Sequence, residues 1–172
     1  PGTSNLSLEL VDGRGMPAPG EMAVESVPTE VDRVVDLVID HALSHPERSL
    51  AVVALNSRHA EEIRRATSNA AAGSAALDEF FAAGIAAPFV VVDLSEARSL
   101  RRDHAIVSVG YAKTPHGRTI HSFGAVSQAG GMVGLVEALC VSRNRAQVVS
   151  CLGPDDLDPE RLHAPGARLL RE

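Results

Sequence analysis

Four short, mostly apolar runs, residues 50–55, 89–94, 105–109 and 147–152, are separated by stretches whose apolar residues recur every three or four positions. A run of five or six apolar residues with no polar alternation is the signature of a strand covered on both faces. Strands of that kind alternating with amphipathic helices leave one economical solution, a mostly parallel sheet with helices packed on both sides. The spacing therefore predicts a three-layer α/β domain. Val31, Val34, Val35, Val38 and Ala42 form one face of the first helix, which Thr29 caps and Pro46 follows, with Asp32 at its third position. Asn56 or Ser57 caps a second helix running through Glu62 to Ala66, residues 75–83 form a third that Gly84 stops, and Gly130-Gly131 precede a fourth. Its expected face is Met132, Leu135, Val136, Leu139 and Cys140. Residues 68–74 read as a loop or a fraying helix end, and residues 120–123 as a short strand.

At 172 residues the chain suits one domain with one core. Residues 1–28 read as an N-terminal strand (4–11) and a Gly/Pro-rich loop through Gly13, Gly15, Pro17, Pro19 and Gly20, leading into a domain over 29–172. The absence of a basic, then apolar, then small-residue start argues against a secretory signal in the chain as given, and cytoplasmic placement is the expectation. The apolar runs are far shorter than the ~20 residues that span a bilayer, so no membrane partner is expected. Starting at Pro1 rather than Met, the chain reads as a piece of something longer.

The net charge of −6 argues against coating nucleic acid through an overall basic field. With 3% aromatics and no Trp, a stacking platform for bases is disfavoured. Positive charge is nonetheless clustered: Arg98, Arg101 and Arg102 form one group, Arg143 and Arg145 another, and Lys113 is the sole lysine. Cys140 and Cys151 lie in apolar runs and read as buried, reduced thiols. Without Cys-x-x-Cys, and with His104, His116 and His121 lacking ligand spacing, no metal site is expected. Asp155, Asp156 and Asp158 resemble an acidic cluster but read more simply as a capped turn after Gly153-Pro154, and Gly130-Gly131 read as a tight turn or an anion-binding helix start.

Ligands of parallel sheets bind beyond the carboxyl ends of the strands, which nominates residues 56–59, 95–101, 110–113 and the segment after Leu152. No Gly-x-x-x-x-Gly-Lys-Ser/Thr loop is present, because Lys113 follows Ala112, and no Gly-x-Ser-x-Gly elbow surrounds Ser108. Ser142-Arg143-Asn144-Arg145 is expected at the end of the fourth helix, where the arginines either complement the negative helix terminus or serve a ligand.

The order of segments resembles the second RecA-like motor domain of superfamily 1 helicases, in the branch with the RNA-decay helicases, over roughly residues 29 to 165. Residues 49–56 followed by His59-Ala60-Glu61-Glu62-Ile63 resemble motif IV. Arg102-Asp103-His104-Ala105-Ile106-Val107-Ser108-Val109-Gly110-Tyr111 resembles the strand after motif V, and Pro115-His116-Gly117-Arg118 with Phe123-Gly124 the hairpin that follows. Residues 139–145 resemble motif VI. The resemblance implies a RecA-like domain lacking its own Walker A loop, whose Arg143 and Arg145 reach the γ-phosphate of ATP, with Mg, held by an upstream RecA-like domain of the same polypeptide. No tightly bound cofactor is expected on this chain by itself. The resemblance also implies a nucleic-acid strand, DNA favoured over RNA, contacted by Asn56, Arg58 and His59 and by Arg98, Ser99 and Arg101. Two departures stand out: Arg98, Ser99 and Arg101 occupy motif V places that normally carry Gln-Gly and an acidic residue, and Ala138 replaces the asparagine of motif VI. The alternatives are a degenerate module with a scaffolding role and no turnover, and an independent doubly wound domain binding a small metabolite.

Overall fold

The computed structural model describes residues 5–82 and 86–172. In chain order it contains β1 (Asn5–Leu10), β2 (Val24–Glu25), α1 (Pro28–Ser44), β3 (Leu50–Ala54), α2 (Ser57–Ala71), α3 (Ala75–Asp78), β4 (Val90–Asp93), β5 (Arg102–Ser108), β6 (Tyr111–Ala112), α4 (Gly131–Leu139), β7 (Ser142–Ser150) and α5 (Pro165–Arg171). Single 3₁₀ turns lie at Gly124–Ser127 and Pro154–Asp156. Five strands form one all-parallel sheet in the order β1-β7-β5-β3-β4, while β2 and β6 make a small antiparallel ribbon. This is the three-layer α/β architecture expected from the sequence and is consistent with a RecA-like fold. Among the described residues no helix is long and apolar enough to cross a membrane.

Strand alternation divides the core. Val52, Ala54, Ile106 and Val149 face Val31, Val34, Val38 and Ile63 of α1 and α2. Ala51, Val53, Leu55, Ala105 and Val107 face Leu135 and Ala138 of α4 and Ala167 of α5. Each central strand thus buries both faces, which is why residues 50–54 are apolar without interruption. β1 joins the sheet at its edge beside β7, in register from Asn5↔Arg145 to Leu10↔Ser150. It is exposed along nearly its whole length: Leu6, Leu8 and Leu10 remain more than half exposed, and only Glu9 is partly covered, where it pairs with Arg33 of α1 at 2.6 Å.

Several expectations are corrected. α1 begins at Pro28, not after Thr29: proline suits the first helical position, and Val27 takes the cap without a side-chain hydrogen bond. α2 continues to Ala71, through the stretch expected to fray. Residues 120–123 form no strand; Phe123 is instead a core anchor, stacked edge-on against Tyr111 with ring centroids 5.2 Å apart. α4 buries Leu135 and Ala138 but leaves Met132, Val136 and Cys140 exposed, because α5 covers only part of that face. The expected stop at Gly84 lies outside the described residues, where α3 itself spans only Ala75–Asp78. Both cysteines are free, Cys151 buried.

Candidate functional site

A parallel sheet offers two edges, and here they differ. Over the carboxyl ends of β3 and β5 lies a buried polar network. Glu30, in the first turn of α1, His59 of α2 and Ser108 at the end of β5 have no solvent exposure. The Ser108 hydroxyl donates to Glu30 Oε1 at 2.7 Å and the Gly110 amide to the same oxygen at 2.8 Å. The Cys151 amide donates to Oε2 at 3.3 Å. Since Ser108 spends its proton on Glu30, its oxygen accepts from His59 Nε2 at 2.7 Å, and His59 Nδ1 meets Ser26 Oγ at 2.9 Å. Burial pushes the Glu30 carboxyl up, but hydrogen bonding and charge from His59, then the bonds from Ser108 and Gly110, outweigh it and hold the group below its ordinary value. Ser108 is therefore a structural tie and not a nucleophile: it is sealed, and its proton is committed to a carboxylate.

Gly110 completes the seal. Its φ of +70° is in the left-handed region, and a Cβ there would stand 2.6 Å from the His59 ring. Asn56 caps α2 by accepting from the His59 amide at 2.8 Å and donates to the Gly110 carbonyl at 3.1 Å. Ser26, at φ +57°, sends its amide to the same carbonyl. Nearby, Lys113 pairs with Asp156 at 2.6 Å, and Asp156 also accepts from the Gly153 amide, the expected capped turn. Gly130, at φ +85°, makes the turn into α4, and a Cβ on Gly131 would meet the Val126 carbonyl oxygen at 2.1 Å, so the tight-turn reading of the pair accounts for both glycines.

The amino edge is the reverse. Arg48 precedes β3, Arg101 and Arg102 open β5, and Arg143 and Arg145 lie near the start of β7; all but Arg102 are exposed. Among the described residues neither Arg143 nor Arg145 has a carboxylate within 4.0 Å. Arg102 is half-committed, its guanidinium donating to the Pro88 carbonyl at 2.9 and 3.1 Å, and burial and then the nearby Arg143 charge push its pKa down. Asp103, a carboxylate of this edge, is occupied by the Ser49 amide at 2.9 Å and hydroxyl at 2.8 Å. Those two bonds, the Ser49 amide first, hold its carboxyl below the ordinary range, with Arg143 adding to them. Arg143 and Asp103 line a cleft of about 260 Å³ together with Glu47, Arg48 and Phe89.

The predicted site residues thus fall into separate places. Arg143 and Arg145 come together with Arg102, but on a strand: Ser142–Ser150 is extended, correcting the expectation that residues 142–145 end a helix. Asn56, Arg58 and His59 lie at the carboxyl edge. Of these Arg58 is exposed, whereas His59 is fully buried and Asn56 is engaged on both sides of its amide, so His59 is corrected from a strand-contacting residue to a structural one. The nominated stretch 95–101 does not stay at the carboxyl edge. With no helix between β4 and β5, it descends the flank of the sheet from Asp93 to Arg102, carrying Arg98, Ser99 and Arg101 toward the amino edge. Arg98 stands 3.6 Å from Glu137 of α4, and Ser99 holds a φ of +65°. Among the described residues no three His, Cys, Asp or Glu donors converge as a metal site. Sequence reasoning missed Glu30 and Ser26. Glu30 did leave a trace, being in phase (30, 34, 38) with the buried face of α1.

No protein-family model matches the sequence, and no curated protein sequence matches it. Among solved structures the chain is similar to the C-terminal domain of a possible DNA helicase from Lactobacillus plantarum WCFS1. The TM-score is 0.47 and the identity 13%, over 87% of this chain and 74% of that one.

Proposed function

We propose that this domain is the second RecA-like module of an ATP-dependent nucleic-acid helicase or translocase of superfamily 1, and that Arg143, with Arg145 beside it, serves ATP bound by another domain. The single observation that carries the reading is the contrast between the edges. At the carboxyl edge, where a parallel sheet takes its own ligand, the ends of β3 and β5 are plugged by the Glu30–His59–Ser108 network. The amino edge holds exposed Arg143 and Arg145, neither with a carboxylate within 4.0 Å among the described residues, in a chain whose net charge is −6. A domain built this way, with no Gly-x-x-x-x-Gly-Lys-Ser/Thr loop in its sequence, presents guanidinium groups to a phosphate held elsewhere. The residue types support it, because planar guanidinium suits a phosphoryl group and Arg143 need break no ion pair to reach one.

Mg belongs with the ATP in this reading, and nothing in this chain is assigned to hold it; when bound it neutralises phosphate charge. The role of Arg143 is to stabilise charge developing on the transferred phosphoryl group, a contribution of ~10³ or more in rate for such arginines. Arg98, Ser99, Arg101 and Arg58 are proposed as strand contacts, DNA favoured, through phosphates rather than bases. In the longer protein carrying the ATP-binding domain, Arg143→Lys should lower kcat while leaving KM for ATP within a few fold, since an ammonium supplies charge without the fork. Unchanged kcat would overturn the assignment of Arg143 to the transferred phosphoryl group.

A further inference from the structure

Beyond the arginine row, the amino edge carries a second constellation that the proposed function does not use. His41 lies in the last turn of α1, His45 caps that helix four residues on, and His104 projects from β5 beside them. Their ring centroids form a triangle with sides of 5.0, 5.9 and 6.2 Å. A pocket of about 210 Å³ opens among the three rings, with Asp40, Arg145 and Gln147 on its wall.

The hydrogen bonds define which nitrogens are available. His41 Nε2 lies 2.8 Å from the Arg48 carbonyl oxygen, which can only accept, so Nε2 carries the proton and Nδ1 presents a lone pair. That Nδ1 accepts from His104 Nδ1 at 3.4 Å, and a metal ion bound between the two nitrogens would displace that proton. Two nitrogens bound at ~2.05 Å to one tetrahedral ion stand about 3.3–3.4 Å apart, and the centroids of such rings about 5 Å apart. The His41–His104 pair already has both spacings. A ligating histidine typically donates its far N–H to a backbone carbonyl, which fixes tautomer and ring plane, and the Arg48 carbonyl does this for His41. The C-terminus of α1 adds its negative dipole end on the same side.

We propose that His41 Nδ1, His104 Nδ1 and His45 form a binding site for a zinc-like divalent transition metal ion, with water in the fourth position. Two of the three ligands are in place. Among the described residues no three donors yet converge, and exposed His45, one helical turn from His41, closes the set by side-chain rotation. Imidazole nitrogen selects zinc, cobalt, nickel or copper over the oxygen-seeking calcium and magnesium. The neighbouring Arg48 and Arg145 oppose a cation, while Asp40 and Glu47 offset them.

The test is titration of the purified chain with Zn²⁺ against a chromophoric chelator, and with Co²⁺ followed by its visible absorption. One equivalent should bind, Co²⁺ should give the intense bands of four-coordinate nitrogen ligation, and Ca²⁺ should not compete. His45→Gln is the decisive variant because His45 is exposed and its replacement leaves the core untouched. It and His104→Gln should each weaken binding by roughly tenfold or more. Absence of one-to-one binding would overturn the proposal. So would binding that both variants leave unchanged, which would mark an adventitious ion on His116, His121 or His163.

Discussion

Replacing Gly110 with alanine separates two costs that the carboxyl-edge seal imposes on one residue. The backbone cost comes from holding φ at +70° with a side chain, about 1–2 kcal/mol for an L-residue in the left-handed region. The packing cost comes from the new methyl group, which would stand 2.6 Å from two atoms of the His59 ring and 2.8 Å from its Cβ. The ring has nowhere to go, because Ser26 and Ser108 hold its two nitrogens and it has no exposed surface. Overfilling such a site costs about 1–3 kcal/mol. Together they predict a loss of about 2–5 kcal/mol, a large part of the ~5–15 kcal/mol that holds an ordinary domain together. Gly117→Ala is the control, since φ there is +78° but a Cβ would meet nothing within 4 Å. It should lose the backbone part alone, about 1–2 kcal/mol. Urea unfolding of the three proteins decides it: Gly110→Ala should lower the midpoint by roughly 1–2.5 M at an unchanged slope, and Gly117→Ala by about half as much. Equal losses at the two glycines would refute the claim that His59 is locked against Gly110.

Glu30→Gln should cost about 2–4 kcal/mol by calorimetry or urea, because the buried donors of Ser108, Gly110 and Cys151 lose a charged acceptor. The same carboxylate predicts an acid limb: with its folded value below the ordinary 4.5, its stabilisation is present above pH 4.5 and is lost as pH falls through the folded value. Glu30→Gln should make that limb shallower, whereas an unchanged pH profile would place the acid sensitivity elsewhere. Arg98→Ala with Arg101→Ala, in the longer protein, should weaken nucleic-acid affinity and flatten its salt dependence by up to about two phosphate contacts. An unchanged salt slope would identify the segment between β4 and β5 as a solvated basic turn.

The central sheet was legible because burial on both faces leaves no alternative to continuous apolar runs, and residues 50–54 and 105–108 are strand as expected. The edges were not. β7 starts at Ser142, five residues before the expected Gln147, because its amino end runs out past the core as a polar strand paired to β5 from Ser142 and to β1 from Arg145. Polar strand and helix end look alike in Ser-Arg-Asn-Arg, and only the ladder decides between them. The same holds for residues 120–123, which have strand-forming side chains but no strand to pair with. The arginine cluster was visible as composition, yet its position at the amino edge depends on that ladder. The Glu30–His59–Ser108 tie joins residues up to 78 positions apart, and helix phase marks Glu30 as inward-facing without showing what it meets. His41 and His45 share a helix, while His104 reaches them only through the pairing of β3 with β5.

The most direct test of the two-edge account compares one arginine from each edge in the longer protein, at saturating nucleic acid. Steady-state ATP turnover should fall by about 10³-fold for Arg143→Ala, at the amino edge, if its guanidinium serves the transferred phosphoryl group. It should change by less than about tenfold for Arg58→Ala, at the carboxyl edge, once strand binding is saturated. A collapse of turnover in Arg58→Ala with Arg143→Ala near wild type would contradict the account and return the working site to the carboxyl edge.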